Sequence, residues 1–262
     1  MTGLFDLSGK VALITGGAQG LGRMISEGLL KAGATVAITS RKEDVCNTAA
    51  AEMSSLGVCI PLPCDLSSPE AAVDLANRLR AACGDKLHIL VNNAGISAHG
   101  RFVDATADRL RQIMEVNFFA ATELMREALP LLQQGRQPMV VNVGSILGHR
   151  GLPFTTDYCA SKFALHGFSE AVRPELKQLG IDMLVVAPAT TRTELNDRLI
   201  EKTDERPWKE PRGVSADHVA RAAVRAIRRG QREIVPSWSG WWLVALNRWF
   251  PSIVDRIADR YG

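Results

Sequence analysis

The sequence lacks a long hydrophobic run, a regular cysteine pattern and a strong charge of either sign. No stretch approaches the roughly 20 apolar residues of a membrane span, and the N-terminus has no long apolar segment typical of a secretion signal. The five cysteines are irregularly spaced, which argues against a disulfide framework or a zinc site. A net charge of +3 from scattered cations argues against nucleic-acid binding. We therefore expect a cytoplasmic protein with free thiols, no bound metal and no nucleic-acid partner.

The 262 residues contain no Pro/Ser-rich linker, low-complexity segment or internal repeat. Apolar, β-branched runs alternate with amphipathic segments, a pattern typical of one α/β domain. The predicted strands cover residues 10–15, 34–39, 89–91, 139–144 and 183–187. One more predicted strand, the third in chain order, ends at residues 64–66.

A glycine-rich turn follows the first predicted strand and precedes an amphipathic segment, residues 21–32. Such a turn lets the backbone approach a pyrophosphate, which then sits at the helix N-terminus. The spacing is Gly-x-x-x-Gly-x-Gly, and a plain glycine-rich turn is the alternative. The strand and helix on either side favour a dinucleotide site. The candidate cofactor residues here are Gly16, Gly17, Gln19, Gly20, Leu21 and Gly22.

The second predicted strand ends in Ser40, Arg41 and Lys42, and no carboxylate occurs before Glu43. An acidic residue at this position binds the ribose hydroxyls of NAD, whereas an arginine accommodates the 2′-phosphate of NADP. The sequence therefore predicts NADP(H) as the preferred cofactor, with NAD(H) as the second choice. The alternative is that the two cations cap a solvated helix.

Tyr158 and Lys162 are four residues apart in a predicted helix, residues 158–179, and so share one face. A free phenol has a pKa of roughly 10, and a neighbouring ammonium favours the phenolate and lowers that pKa. Ser145 ends the fifth predicted strand, where ligands bind in open α/β sheets, and its hydroxyl can hold a substrate oxygen. The alternatives are a solvated helix face for the pair and a helix cap for the serine.

Asn117 lies in an otherwise apolar helical stretch, and a buried amide without partners would be costly. We expect it in a polar network, although an asparagine that bends the helix is the alternative. Asn92 and Asn93 follow the fourth predicted strand and could stabilise the sheet through side-chain hydrogen bonds.

These elements together resemble the short-chain dehydrogenase/reductase family, from Lys10 to about Pro236. The resemblance implies a Rossmann-like doubly wound domain over residues 1–236, with a seven-stranded, mostly parallel sheet flanked by helices. It also implies hydride transfer between a nicotinamide and a carbonyl or alcohol, and a homodimer or homotetramer. The matching elements are the turn that begins at Thr15, Asp65, the run 92–95, Ser145, and Tyr158 with Lys162.

The family's residue roles carry over by position. Asp65 would accept a bond from the adenine amino group, although a turn role is equally ordinary for it. Asn117 would hold a water between the lysine and a proton relay. Two positions depart from the family pattern: Ala189 stands where a glycine is usual, and Gln19 stands where many NADP-preferring relatives have a cation. The further cofactor contacts implied are Leu66, Asn93, Ala94, Gly95, Tyr158, Lys162, Pro188, Thr191 and Thr193.

In the predicted reaction Tyr158 transfers the proton and Ser145 holds the substrate oxygen. Lys162 lowers the pKa of the tyrosine and contacts the nicotinamide ribose. The alternatives are a 3-oxoacyl-acyl-carrier-protein reductase and a non-catalytic NADP(H)-binding redox scaffold. The charged segment 193–214 is expected to close over substrate.

The C-terminal extension, residues 237–262, carries four of the five tryptophans, and Pro251 should divide it into two short helices. Its apolar stripe predicts one of three roles: packing against the core or a sister subunit, a lid over an apolar substrate, or a weak peripheral membrane contact. We expect a ketone, lipid-like or steroid-like substrate. The stripe comprises Trp242, Leu246, Trp249 and Ile253.

Overall fold

The computed structural model describes residues 5–192, 199–200, 202 and 213–260. Its strands are β1 (Val11–Ile14), β2 (Thr35–Ile38), β3 (Cys59–Pro61), β4 (Ile89–Asn92), β5 (Met139–Val143), β6 (Asp182–Val186), β7 (Thr191–Arg192), β8 (Val214–Ser215) and β9 (Glu233–Ile234). Its helices are α1 (Gly20–Lys31), α2 (Glu43–Met53), α3 (Ala71–Cys83), α4 (Ala107–Met114), α5 (Ala120–Gln134), α6 (Thr156–Gln178), α7 (Ala216–Arg228), α8 (Trp238–Trp249) and α9 (Pro251–Ala258).

Seven strands form one sheet in the order β3-β2-β1-β4-β5-β6-β9, and β7 pairs with β8 separately. Every neighbouring pair in the large sheet is parallel. The prediction of an α/β, Rossmann-like, doubly wound domain with a seven-stranded sheet is confirmed. The strand order reverses between β1 and β4, and a crevice for ligands forms at the carboxyl ends of strands at such a point.

Helices cover both faces of the sheet, because successive strand residues point to opposite sides. Ile14 belongs to an apolar cluster with residues of α1, α2 and α7, whereas Leu13 belongs to a second cluster with residues of α3, α5 and α6. Strands buried on both faces require continuous apolar runs, and β4 is buried along its whole length. The sheet is therefore a rigid platform whose carboxyl edge presents the turns.

The third strand is shorter than predicted. It ends at Pro61, so Asp65 lies beyond the strand and not at its end. Pro61 and Pro63 have no amide hydrogen and cannot extend a regular ladder. The backbone N–H of Leu62 still donates to the carbonyl oxygen of Ile38 in β2, and that of Cys64 donates to the carbonyl oxygen of Ser40. These two bonds keep the chain alongside the sheet.

The C-terminal extension forms two helices with Pro251 at the start of the second, as predicted. Its large aromatic side chains do not pack into the core of this chain: Trp238 and Trp249 are each 75% exposed. Gly240 is the buried residue of α8, and the first three tryptophans of the helix contact one another, with Trp238 stacked on Trp241. Among the described helices, none has the length and apolarity to cross a membrane.

Candidate active site

The β1–α1 turn requires glycine at several positions. Gly16 and Gly20 have φ values of +64° and +54°, which side chains disfavour. A Cβ on Gly22 would lie 2.3 Å from the carbonyl oxygen of Gly16, and one on Gly17 would lie 2.7 Å from Ile38. The turn is consequently a bare backbone cradle that ends at the N-terminus of α1. Its shape suits a pyrophosphate, which binds at such helix starts.

Hydrogen bonds tie this turn to the one that follows β4. Thr15 Oγ1 accepts from the backbone N–H groups of Asn93 at 2.9 Å and Ala94 at 3.0 Å. Asn93 Nδ2 donates to the carbonyl oxygen of Thr15 at 2.9 Å, and Gly16 N donates to Thr39 Oγ1 at 3.1 Å. The predicted residues Asn93, Ala94 and Gly16 are therefore brought together at the strand crevice.

Asn117 is buried in a π-helical turn, residues 115–119, between α4 and α5. Its Oδ1 accepts from the backbone N–H of Ile96 at 2.8 Å, and its Nδ2 donates to the carbonyl oxygen of Ile96 at 3.0 Å and to Ser161 Oγ at 2.9 Å. Ser161 in turn donates to the carbonyl oxygen of Tyr158 at 2.8 Å. The expectation of a polar network around this amide agrees with the geometry.

Ser145 follows β5 and precedes a 3₁₀ turn, Ile146–Gly148. Its Oγ accepts from the N–H of Leu147 at 3.1 Å and lies 3.5 Å from the carbonyl oxygen of Pro188. The serine thus caps this turn, in agreement with the helix-cap alternative, and it also lies close enough to Tyr158 to lower the pKa of the tyrosine.

Tyr158 and Lys162 lie on one face of α6, with Lys162 Nζ 5.6 Å from the centre of the tyrosine ring. Nζ donates to the carbonyl oxygen of Val143 at 2.9 Å. A Cβ on Gly95 would lie 3.2 Å from Asn117 Oδ1 and 3.8 Å from Nζ, so the β4 turn borders both groups. The four predicted catalytic residues therefore converge at the carboxyl edge of the sheet.

The pKa of Tyr158 differs from the sequence-based expectation. Burial raises it to about 12, and the hydrogen bond from Ser145 offsets this only in part. Burial also lowers the pKa of Lys162 to about 8. The predicted lowering of the tyrosine pKa by Lys162 is wrong for this structure, because desolvation dominates and the lysine nitrogen is bound to a backbone carbonyl.

The residues predicted to contact the adenosine half lie in the segments that follow β2 and β3. Arg41 and Lys42 are exposed, and Lys42 precedes α2 without a side-chain capping bond. Asp65 Oδ1 accepts from the N–H and the hydroxyl of Ser67 at 3.0 and 2.8 Å, so it shapes a turn. Ser40 is partly buried, and Leu66 is buried.

The turn after β6 lies beside Ser145. Pro188 accepts from the backbone N–H of Ile146 at 3.0 Å, and Thr191 Oγ1 donates to the carbonyl oxygen of Ala189 at 2.8 Å. Thr193 and nearly all of the predicted closing segment lie outside the described residues.

A buried ion pair beside the site was not predicted. Arg109 Nε donates to Asp157 Oδ2 at 2.6 Å, and the two side chains are 2% and 7% exposed. It joins α4 to the first turn of α6, immediately before Tyr158. A second unpredicted group is Asn142, which donates to Ser169 Oγ and accepts from Asn92 Nδ2, each at 2.9 Å. Its one sequence signal is an amide inside an apolar strand.

A glycine cradle at a strand crevice, with a serine, tyrosine and lysine beside it, is typical of dinucleotide-dependent oxidoreductases. The chain belongs to the short-chain dehydrogenase family, whose profile matches residues 10–204. A rhamnolipid-biosynthesis 3-oxoacyl-acyl-carrier-protein reductase from Pseudomonas aeruginosa is 36% identical over 189 residues, 70% of this chain and 73% of that protein. A hydroxysteroid 11-beta-dehydrogenase 1-like protein from Xenopus laevis is 31% identical over 258 residues, 97% of this chain and 87% of that protein. The solved complex of Pseudomonas aeruginosa RhlG with NADP has a TM-score of 0.80 at 29% identity, covering 90% of this chain and 97% of that chain.

Proposed function

We propose that this oxidoreductase interconverts a carbonyl and an alcohol, an EC 1.1.1-type reaction, with NADP(H) as its preferred cofactor and NAD(H) as the second choice. The observation that carries the proposal is the convergence of Ser145, Tyr158 and Lys162 beside the glycine cradle. The cradle fits a dinucleotide, because a Cβ on Gly17 would collide with Ile38 and one on Gly22 with the carbonyl oxygen of Gly16, so the turn consists of bare backbone that a pyrophosphate can approach. Bound there, a nicotinamide would supply or accept the hydride.

The residues of the chain perform the proton chemistry. The high pKa of Tyr158 keeps its hydroxyl protonated at neutral pH, so it begins as a proton donor, which suits carbonyl reduction. Ser145 holds the substrate oxygen on which negative charge develops. Lys162 would help to hold the cofactor by donating to the nicotinamide ribose. Asn117 fixes the backbone at Ile96 through its side chain, and it would hold a water that connects the lysine to a proton relay.

The NADP(H) preference rests on the end of β2. Arg41 and Lys42 are exposed cations beside Ser40, with no carboxylate before α2, and they suit a 2′-phosphate. The RhlG relative was solved with NADP. Replacing Arg41 by aspartate should weaken NADPH binding at least tenfold and leave NADH binding unchanged or stronger. An unchanged ratio of the two affinities would contradict the assignment. The further residues that we propose to contact the cofactor are Gln19, Asp65, Leu66, Asn93, Ala94, Pro188, Thr191 and Thr193.

We propose an apolar substrate from the position of α8. A Cβ on Gly240 would lie 3.2 Å from both Ala189 Cβ and Ile146 Cγ2, residues next to Pro188 and Ser145. The start of α8 is therefore packed against the rim of the site, and the exposed Trp241 and Trp242 follow within one turn. The hydroxysteroid-type relative is consistent with this substrate class.

A 3-oxoacyl-acyl-carrier-protein reductase is the second candidate, favoured by the Pseudomonas aeruginosa relative. Comparing kcat/KM for a steroid or long-chain ketone with kcat/KM for a 3-oxoacyl thioester on carrier protein distinguishes the two functions. Replacing Trp242 by serine should lower kcat/KM for the long-chain ketone and leave a short ketone unaffected, if the tail borders the pocket. An equal effect on both ketones would argue against the tail's role.

The direct test is NADPH oxidation with a panel of ketones and thioesters. Turnover by the wild-type protein and its loss in Tyr158→Phe, with NADPH binding retained, supports the enzyme. Tight NADPH binding without turnover of any substrate would instead favour a redox scaffold.

We further propose a cytoplasmic homodimer or homotetramer, in which residues 1–236 form the catalytic unit and residues 237–262 extend the same domain. The exposed aromatic face of α8 and α9 suits a contact with a sister subunit or a weak peripheral contact with a membrane. Light scattering and vesicle co-sedimentation of Trp238→Ser/Trp249→Ser against wild type separate these roles. A variant unchanged in both assays would contradict them.

A further inference from the structure

We propose that His149, His166 and Glu233 form a binding site for one divalent cation of the zinc type, outside the acid/base centre. His149 Nε2 and Glu233 Oε1 are 2.8 Å apart, and His166 Nδ1 is 4.0 Å from the same oxygen. One ligand atom from each residue lies within 4.8 Å of the others. The sequence alone predicts no metal, because these residues are far apart along the chain.

Three separate elements deliver the ligands. His149 follows the 3₁₀ turn after Ser145, His166 lies one helical turn beyond Lys162 on α6, and Glu233 begins the edge strand β9. The two imidazole rings contact edge to face, with centroids 4.1 Å apart. All three side chains are partly buried, with exposures of 15 to 34%. The cluster is therefore held in place and is open to ions from solvent.

The distances suit tetrahedral zinc. With zinc–ligand bonds of about 2.1 Å, ligand atoms in a tetrahedron are about 3.4 Å apart. The separations of 2.8 and 4.0 Å from Glu233 Oε1 lie on either side of that value, and the two histidine nitrogens lie within 4.8 Å of each other, so side-chain shifts on the order of 1 Å would complete the site. Two imidazoles and one carboxylate favour a borderline cation over Mg²⁺ or Ca²⁺, which prefer oxygen ligands alone. A water would take the fourth position.

The surroundings support ligation by the correct nitrogen. Glu170 Oε1 lies 3.5 Å from His166 Nε2, so a proton on Nε2 is directed to a carboxylate and Nδ1 is left for the metal. Asn247 donates to the carbonyl oxygen of His149 at 3.0 Å and holds that loop against α8.

Arg173 carries a positive charge that opposes cation binding, because it interacts electrostatically with both His166 and Glu233. We therefore expect weaker binding than at a structural zinc site. The cation would join the loop behind Ser145 to α6 and the sheet edge. That loop packs closely on α6, since a Cβ on Gly148 would lie 2.8 Å from the carbonyl oxygen of Lys162. Bound metal should thus raise the melting temperature.

Calorimetric titration of the full chain with ZnCl₂, under reducing conditions, tests the proposal. We expect one Zn²⁺ per chain and no response to MgCl₂. His149→Gln and His166→Gln should each abolish the Zn²⁺ response, and Glu170→Gln should weaken it about 10- to 100-fold. His218→Gln is the matched control on α7, and it should bind as wild type does, which excludes general histidine binding; loss of binding in the ligand variants, which retain every cysteine, excludes thiol binding.

Circular dichroism and the metal-free melting temperature check that each variant folds. Glu233→Gln, on an edge strand, provides a second ligand variant if a histidine variant does not fold, and it should also lose binding. The proposal is overturned if the wild type takes up no Zn²⁺, or if a folded His149→Gln/His166→Gln double variant binds with unchanged affinity and stoichiometry.

Discussion

Replacing Lys162 by methionine should remove a pH-dependent term from the free energy of unfolding. Lys162 is 4% exposed, and burial lowers its pKa from 10.5 to about 8. Between these two values the unfolded chain binds the proton and the folded chain does not. The contribution of Lys162 to the free energy of unfolding therefore rises with pH across that window. Below about pH 8 the buried ammonium lowers the free energy of unfolding by its full amount.

The expected size follows from the shift. One pKa unit corresponds to about 1.4 kcal/mol, so the free energy of unfolding should rise by roughly 2 kcal/mol between pH 8 and pH 10 through this lysine alone. Two other, partly buried groups act in the opposite direction. Burial raises the pKa of Cys59 to about 11 and that of Tyr158 to about 12, so their contributions fall as pH rises above 9 and 10, respectively. The difference between variant and wild type isolates the lysine.

Urea denaturation at pH 7.5 to 10, without cofactor and with a reductant, measures this difference. We expect the wild-type free energy minus that of Lys162→Met to increase by roughly 2 kcal/mol from pH 8 to pH 10. The exposed Lys177→Met variant serves as the matched control and should track the wild type. Parallel pH profiles for wild type and Lys162→Met would refute the claim that burial displaces this titration.

Three further changes test the frame around the site. Arg109→Met leaves the carboxylate of Asp157 buried without its partner and should cost about 3 to 5 kcal/mol in urea denaturation, partly recovered by adding Asp157→Asn; a loss below about 1 kcal/mol would contradict a buried ion pair. Gly22→Ala places a Cβ 2.3 Å from a backbone oxygen and should weaken NADPH binding at least tenfold by calorimetry, whereas unchanged affinity would show that the cradle tolerates it. Asn117→Ala should lower the unfolding free energy by about 1 to 3 kcal/mol and reduce kcat more than it changes KM, and a loss of stability alone would assign it a structural role.

The fold was predictable from local patterns. Continuous apolar strands, amphipathic helices and a glycine turn each report on a few neighbouring residues, and they identified the parallel sheet and the start of α1. The third strand is shorter than predicted because the prolines at 61 and 63 lack the amide hydrogens that a regular ladder needs. The break at Pro251 was predicted because proline constrains its own backbone.

The features that escaped prediction depend on tertiary contact. Arg109 and Asp157 are 48 positions apart, and the cluster of His149, His166 and Glu233 spans three elements. Neither the ion pair nor the cluster can be predicted from the spacing of its residues along the sequence. The pKa of Tyr158 was predicted in the wrong direction because spacing reveals a neighbouring ammonium and does not reveal burial.

The most direct test of the central claim is the steady-state rate of NADPH oxidation by wild type and Tyr158→Phe with one reducible ketone. The phenylalanine removes only the proton donor, so NADPH affinity measured by fluorescence should stay within about threefold, while kcat/KM should fall by roughly 10² to 10⁴. A Tyr158→Phe variant that binds NADPH and retains wild-type kcat/KM would contradict the assignment of the acid/base centre.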